Sequence, residues 1–269
     1  MANRLKPLIH PASVDLSDPA ATTESPLEGK EAEARLVQIR ARIEALQLAL
    51  GAEQTRALLV VLQGRDASGK DGVVKKVFGD LNPTYCQVTA FKQPTPLELR
   101  HDFLWRAHQA VPAAGMIGIF NRSHYEDVLA VRVHSLVPES LWRLRYQHIN
   151  DFERMLTDHG VTILKFMVHI SREEQRQQLE ERLEDPNKNW KFAASDLKER
   201  ARWDDYTQAY HEMFLRTSTE WAPWYLVPGD KKTARNLLIG ETVLATLERM
   251  DPKFPPGDPS VMALRGKIV

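Results

Sequence analysis

The apolar run Leu58-Leu59-Val60-Val61-Leu62 leads almost directly into Gly64-Arg-Asp-Ala-Ser-Gly-Lys-Asp71, and no other feature constrains the fold as much. Five consecutive apolar residues closed by a glycine read as a strand buried on both faces. The spacing G-x-x-x-x-G-K predicts a P-loop. Its backbone N–H groups turn inward around phosphate oxygens, and a helix starts at Lys70. That helix N-terminus adds partial positive charge, and the lysine reaches phosphates lying farther out. The candidate phosphate contacts are Gly64, Arg65, Ala67, Ser68, Gly69, Lys70 and Asp71. Two of these positions are unusual. Asp71 stands where Ser or Thr usually offers a hydroxyl to magnesium, and Asp66 places a carboxylate inside an anion cradle. Such a carboxylate repels phosphate unless a divalent cation sits between them or it takes a proton from an acceptor. The competing reading, a tight turn without a ligand, does not account for strand, loop, lysine and helix falling in this order.

A chain of 269 residues, 43% hydrophobic, can form one large domain or two small ones. It contains no apolar run of membrane-spanning length, and its first residues lack the apolar core of a signal peptide, so a cytoplasmic location and no membrane partner are expected. Cys86 is the only cysteine, which excludes an internal disulfide and a cysteine metal cluster. The nine histidines form no HExxH pair. The 36 basic and 36 acidic side chains balance, which argues against general nucleic-acid binding but leaves room for a local basic groove.

Residues 1–29, rich in proline, read as an extended lead-in, and 30–50 as an amphipathic helix with Ile39, Ile43, Leu46 and Leu50 at helical spacing. From Arg56 onward strands are expected over 56–62, 85–90, 115–120, 161–168 and 224–227. Helices are expected over 70–79, 95–110, 138–158, 171–183, 195–217 and 231–249. Alternation of this kind predicts one α/β domain over 30–250, a parallel sheet with helices on both faces and its ligand at the carboxyl ends of the strands. The proline-rich tail, 251–269, is expected to be irregular.

Three further segments carry candidate chemistry. The third strand opens into Asn121-Arg-Ser-His-Tyr-Glu-Asp127. Arg122 suits a transferring phosphoryl group, because its planar fork contacts two oxygens. Glu126 and Asp127 are the nearby acids, with a plain ion pair to Arg122 as the competing reading. The segment around Pro186 interleaves Arg182, Lys188 and Lys191 with Trp190 and Phe192, the composition of a lid (about 182–200) over an anionic substrate; taken in isolation, the near balance with Glu180, Glu181, Glu199, Asp204 and Asp205 favours a solvated charged helix pair. A new helix is expected to start near Ser195 as N-cap. After the last strand, Lys231, Lys232 and Arg235 fall near the P-loop edge of the sheet as candidate phosphate or base-pocket contacts, with a solvent-facing group as the equal competing reading, while Trp224 and Tyr225 read as core.

Taken together, Gly64-Arg-Asp-Ala-Ser-Gly-Lys-Asp-Gly72, Asn121-Arg-Ser-His-Tyr-Glu-Asp-Val128 and Lys188-Asn-Trp-Lys-Phe192 with Asp196, Trp203 and Tyr206 resemble the polyphosphate kinase 2 family. The aspartate inside the P-loop and the missing Ser/Thr are both features of that family. The Asn121 form looks like the branch that phosphorylates nucleoside mono- and diphosphates; other branches carry Asp there. The resemblance implies a P-loop kinase-like (thymidylate kinase-like) fold with a mobile helical lid. It implies inorganic polyphosphate as donor, AMP and ADP as acceptors yielding ADP and ATP, guanine nucleotides as further acceptors, and magnesium or manganese as cofactor. By similarity Asp66 and Asp127 position metal or acceptor, and Lys70 and Arg122 bind the transferring group. Asn121, Glu126, Lys231 and Lys232 add nucleotide or phosphate contacts, Arg182, Lys188 and Lys191 come from the lid, and Lys75 and Lys76 line the polyphosphate path. A homodimer or homotetramer is implied, with helix 30–50 as a candidate interface. The competing readings are an ATP-dependent nucleoside monophosphate kinase, which Asp71 disfavours, and a nucleotide-binding regulator without turnover.

Overall fold

The computed structural model describes residues 4–25, 27–262, 264 and 265. Five parallel strands form one sheet in the order β2-β3-β1-β4-β5: β1 (Ala57–Gly64), β2 (Cys86–Ala90), β3 (Ile117–Asn121), β4 (Val161–His169) and β5 (Trp224–Pro228). The most apolar strand, β1, lies at the centre with all eight residues buried, because helices cover both of its faces. Alternate residues divide between two cores. Leu58, Val60 and Leu62 face α1 (Gly29–Glu53), α2 (Lys70–Val77) and, farther along the chain, the helix 232–250. Leu59 and Val61 face Phe120, Tyr125, Phe152 and Trp224 on the other side. Ile39, Ile43 and Leu50 of α1 are fully buried, each stabilising the fold by about 1.5–3 kcal/mol.

The expected strands are all present, shifted at their ends by up to two residues. The expected helix 95–110 is not continuous. A 3₁₀ turn, Glu98–Arg100, is followed by α3 (Trp105–Ala110), and the Asp102 side chain accepts the Leu104 N–H at 2.9 Å and breaks the run. After β3 come α4 (Ala130–Val133) and α5 (Glu139–Asp158). The lid region consists of α6 (Arg172–Glu184), a 3₁₀ turn Asn189–Lys191, α7 (Ala194–Ala201) and α8 (Trp203–Thr217). The single helix expected over 195–217 is thus two, divided at Arg202 (φ −93°, ψ 26°), whose N–H closes a tighter i−3 bond to the Glu199 carbonyl at 3.1 Å. The N-cap of α7 is Ala193 rather than Ser195, with Asp196 accepting its N–H at 3.2 Å. α9 (Lys232–Met250) completes the domain. Beyond Asp251 the described tail is irregular apart from one turn, α10 (Pro259–Met262).

The described part of the lead-in is fastened from the start of β5 to the carboxyl side of β4. Leu8 bridges Trp224, His169 Nε2 donates to Ser17 O at 2.9 Å, and the Arg172 N–H at the start of α6 donates to Asp18 at 3.2 Å.

Candidate active site

The carboxyl ends of β1, β2 and β3 converge on one cavity of about 470 Å³, closed on the far side by α6, the Lys188–Lys191 turn and the first turns of α9. The loop between β1 and α2 needs glycine at two points. A Cβ on Gly64 would lie 2.6 Å from the Val168 carbonyl, and Gly69 has φ +85° with 2.2 Å to Arg235 Nη1. Two non-glycine residues here also hold left-handed backbone, Ala67 (φ 63°) and Arg122 (φ 61°). Such strain persists only where the surroundings hold it, and it gathers at functional sites.

Lys70 is 7% exposed, and its Nζ donates to Gly64 O (2.7 Å), Arg65 O (2.9 Å) and Ser68 Oγ (3.2 Å). Burial pulls its pKa down to about 8, with Arg122 adding to the effect and Asp66 and Glu126 opposing it. Arg122 pairs with Asp66 and, at 3.3 Å, with Glu126, and these carboxylates hold its proton more firmly than usual despite burial. Asn121 Nδ2 donates to Asp71 at 2.7 Å, and the lid's Lys191 reaches the same carboxylate at 3.9 Å. The neutral amide at the end of β3 therefore anchors the P-loop acid.

The loop that carries Arg122 is held from below. Tyr125 Oη donates to Glu153 at 2.8 Å, and Lys165 Nζ donates to Tyr125 Oη (2.7 Å), Glu153 (2.6 Å) and Thr217 O (2.8 Å). All three side chains are buried, and these hydrogen bonds supply the partners that a buried ion pair needs.

The cavity brings together Asp66, Ala67, Ser68, Gly69, Lys70, Asp71, Asn121, Arg122, Arg182, Lys188, Lys191, Lys232 and Arg235 of the expected residues. Others lie elsewhere. Arg65 turns away from it, its guanidinium 3.8 Å over the Trp203 ring, and burial lowers its pKa to about 10. With Gly64, Asp66, Arg122, Glu199 and Tyr206 it lines a small second pocket on the other side of the Asp66–Arg122 pair. Lys75 and Lys76 sit exposed on the outer side of α2, and Lys231 is exposed outside the cavity. Glu126 contributes through Arg122. Asp127 is buried behind the loop, paired with Arg145 (2.7 Å) and Arg106 (3.7 Å); burial outweighs both cations and pushes its pKa up to about 6. Lys92, Glu174, Gln178 and Glu181 line the cavity without having been singled out. Lys92 could have been found, since it falls just past the carboxyl end of β2. The α6 residues carried no signal beyond helical charge.

Lid and body are joined by several contacts. From the lid, Glu199 lies 2.9 Å from His134 Nε2 of the body and Arg202 Nη1 donates to Val133 O (3.0 Å), while within the lid Arg200 Nη1 donates to Arg172 O (2.8 Å) and Gln175 Oε1 (3.0 Å), and Tyr206 Oη donates to Glu199 (2.6 Å).

Among the described residues no three His, Cys, Asp or Glu side chains gather as a metal cage. Magnesium, however, usually takes only one or two carboxylates, with water and substrate phosphates completing its shell. Asp66 fits that role: it lies on the cavity wall, and its Oδ2 has no partner among the described residues. Asp127 does not fit, because both of its oxygens face arginines.

A family model described as Polyphosphate kinase 2 matches residues 26–255. The chain is 51% identical over 220 residues to the AMP/ADP-polyphosphate phosphotransferase of Meiothermus ruber, covering 82% of each. It is 43% identical over 231 residues to the ADP-polyphosphate phosphotransferase of Rhodopseudomonas palustris, covering 81% of this chain and 80% of that one. The crystal structure of polyphosphate kinase 2 from Arthrobacter aurescens TC1 superposes with a TM-score of 0.86 at 41% identity, covering 96% of this chain and 99% of that one. The chain belongs to the polyphosphate kinase 2 family.

Proposed function

We propose that this protein transfers the terminal phosphoryl group of inorganic polyphosphate to AMP and ADP, reversibly, giving ADP and ATP. The observation that carries the reading is the wall of the cavity. Eight Lys or Arg side chains face four Asp or Glu, and the only apolar side chains are those of Ala67, Ala90 and Phe91. A nucleoside donor needs an apolar or aromatic slot for its base. A donor that is all phosphate needs cations and backbone N–H groups, which this cavity supplies. The names of relatives at 51% and 43% identity point to the same donor.

The residues divide the work. The P-loop N–H groups hold the donor's phosphates, and Lys70 exchanges its three loop acceptors for phosphate oxygens. Arg122 spans the large cavity and the small pocket, so its fork can follow charge as it spreads over the equatorial oxygens of the transferring group. Asp66, shared by the same two spaces, orients the attacking phosphate oxygen of the acceptor. Magnesium, or manganese in its place, would be held by Asp66 together with substrate oxygens and neutralises charge between donor and acceptor when bound. The lid turn with Lys188 and Lys191 excludes water from the transfer. Guanine nucleotides as further acceptors, a homodimer or homotetramer, and a cytoplasmic location belong to the same reading.

The test is to incubate the protein with magnesium, polyphosphate and AMP and follow nucleotides by chromatography. ADP appearing first and ATP second is expected. Formation of neither would refute the reading.

A further inference from the structure

Arg235 is 4% exposed, yet among the described residues no carboxylate lies within 4 Å of its guanidinium. Its Nη1 donates to the Ser68 carbonyl at 3.1 Å and its Nε to Asn236 Oδ1 at 3.2 Å. Nη2 has no hydrogen-bond partner among the described residues and lies beside Gly69 and Gly72, 3.3 and 3.4 Å from where their Cβ atoms would be. Gly69 is the position where any side chain would collide with this guanidinium. A cation taken out of water without a counterion is costly. Consistent with that, burial lowers the Arg235 pKa to about 10, and Glu174 offsets only part of the effect. Lys70 is the other deeply buried cation of the cavity without a carboxylate in reach. The topology sets them in a row along the carboxyl edge: Arg122 follows β3 on one side of β1, Lys70 follows β1, and Arg235 rides on the helix after β5 on the other side.

We propose that Arg235 is a phosphate-binding residue for the donor, gripping phosphates upstream of the one transferred, across the P-loop from Arg122. The inference rests on the reading of the cavity as a polyphosphate site. It makes Arg235 the missing half of an ion pair that the polyanion completes. The geometry of its fork allows two oxygens to be held where a lysine holds one. On this reading the acceptor nucleotide lies on the Arg122 side, so its binding does not depend on Arg235.

The experiment compares wild type with Arg235→Met and Arg235→Lys by calorimetric titration of tripolyphosphate and of AMP, alongside thermal melts of the free proteins. Arg235→Met is expected to bind tripolyphosphate about tenfold or more weakly, in keeping with the loss of charge-assisted hydrogen bonds. AMP binding should be unchanged. The free protein should melt at the wild-type temperature or above it, because a buried cation without a partner has been removed. Arg235→Lys should recover part of the affinity. If Arg235 only braces the loop, Arg235→Met melts lower and loses AMP and tripolyphosphate together, which overturns the proposal. Equal tripolyphosphate affinity in wild type and Arg235→Met overturns it as well, while leaving the cavity reading intact. No binding of tripolyphosphate by wild type would overturn both.

Discussion

Lys70 gives the most quantitative expectation, because its charge is held near the point of loss. With a pKa of about 8, roughly nine in ten copies carry the proton at pH 7 and roughly one in ten at pH 9. If the ammonium is what binds phosphate, tripolyphosphate affinity should drop about ninefold over that interval. Stability of the free protein should move the other way. The folded-state pKa lies below the ordinary 10.5, so between about 8 and 10.5 the unfolded chain binds more protons than the folded one. Stability contributed by this group therefore rises with pH across that window, by about 3 kcal/mol in all. Bound polyphosphate should pull the pKa back up, so binding at pH 8 should take up a proton that binding at pH 6 does not. The assay is calorimetric titration at pH 6 to 9 in buffers of differing ionisation enthalpy. Lys70→Arg, which stays charged throughout, serves as the reference, so that titration of tripolyphosphate itself cancels. An affinity that is flat from pH 7 to 9, or one that falls equally in Lys70→Arg, would refute the reasoning.

Other residues give shorter expectations. Arg122→Ala should fold, since the side chain is not part of either core, and lose roughly a hundredfold or more in rate, about 3 kcal/mol of transition-state stabilisation; near-normal turnover in a folded variant would remove its role. Asp66→Asn should raise the magnesium concentration needed for half-maximal rate, whereas Asp127→Asn should leave that dependence alone because its oxygens face Arg145 and Arg106; a shift in Asp127→Asn would make it a metal ligand after all. Polyphosphate affinity should fall steeply with salt, and the Lys188→Ala/Lys191→Ala double variant should lower the log–log slope by about one to two. An unchanged slope would leave the lid turn a solvated loop.

Much of this site could be read in the sequence because its chemistry is local. The P-loop lies within eight consecutive residues, Arg122 follows its strand directly, and both are placed by the simple rule that parallel strands present ligands at their carboxyl ends. β1 and β3 were legible because burial on both faces leaves them almost no polar residue, whereas β2, at the sheet edge, is largely exposed and carries Gln87 and Thr89. What the sequence did not show depends on contacts between distant segments. Asp127 reads as a site acid from its position six residues after Asn121, but Arg106 and Arg145, on two different helices, claim it. Arg65 sits inside the motif yet stacks on Trp203, more than a hundred residues away. The break at Arg202 has no proline or glycine to announce it; it shows only in the folded backbone, where the Arg202 N–H bonds the Glu199 carbonyl in an i−3 turn. The break at Asp102 was visible in principle, since an aspartate whose side chain accepts the N–H two residues on competes with a helix running through it.

The central claim is that the cavity is built for a donor made only of phosphate. The most direct measurement is kcat/KM with AMP as acceptor, determined side by side for polyphosphate and for ATP as donor at the same magnesium concentration. The cationic wall with its lack of a base slot predicts that polyphosphate is the better donor by at least about two orders of magnitude. Rapid turnover with ATP and none with polyphosphate would contradict the account and make the protein an ordinary nucleoside monophosphate kinase.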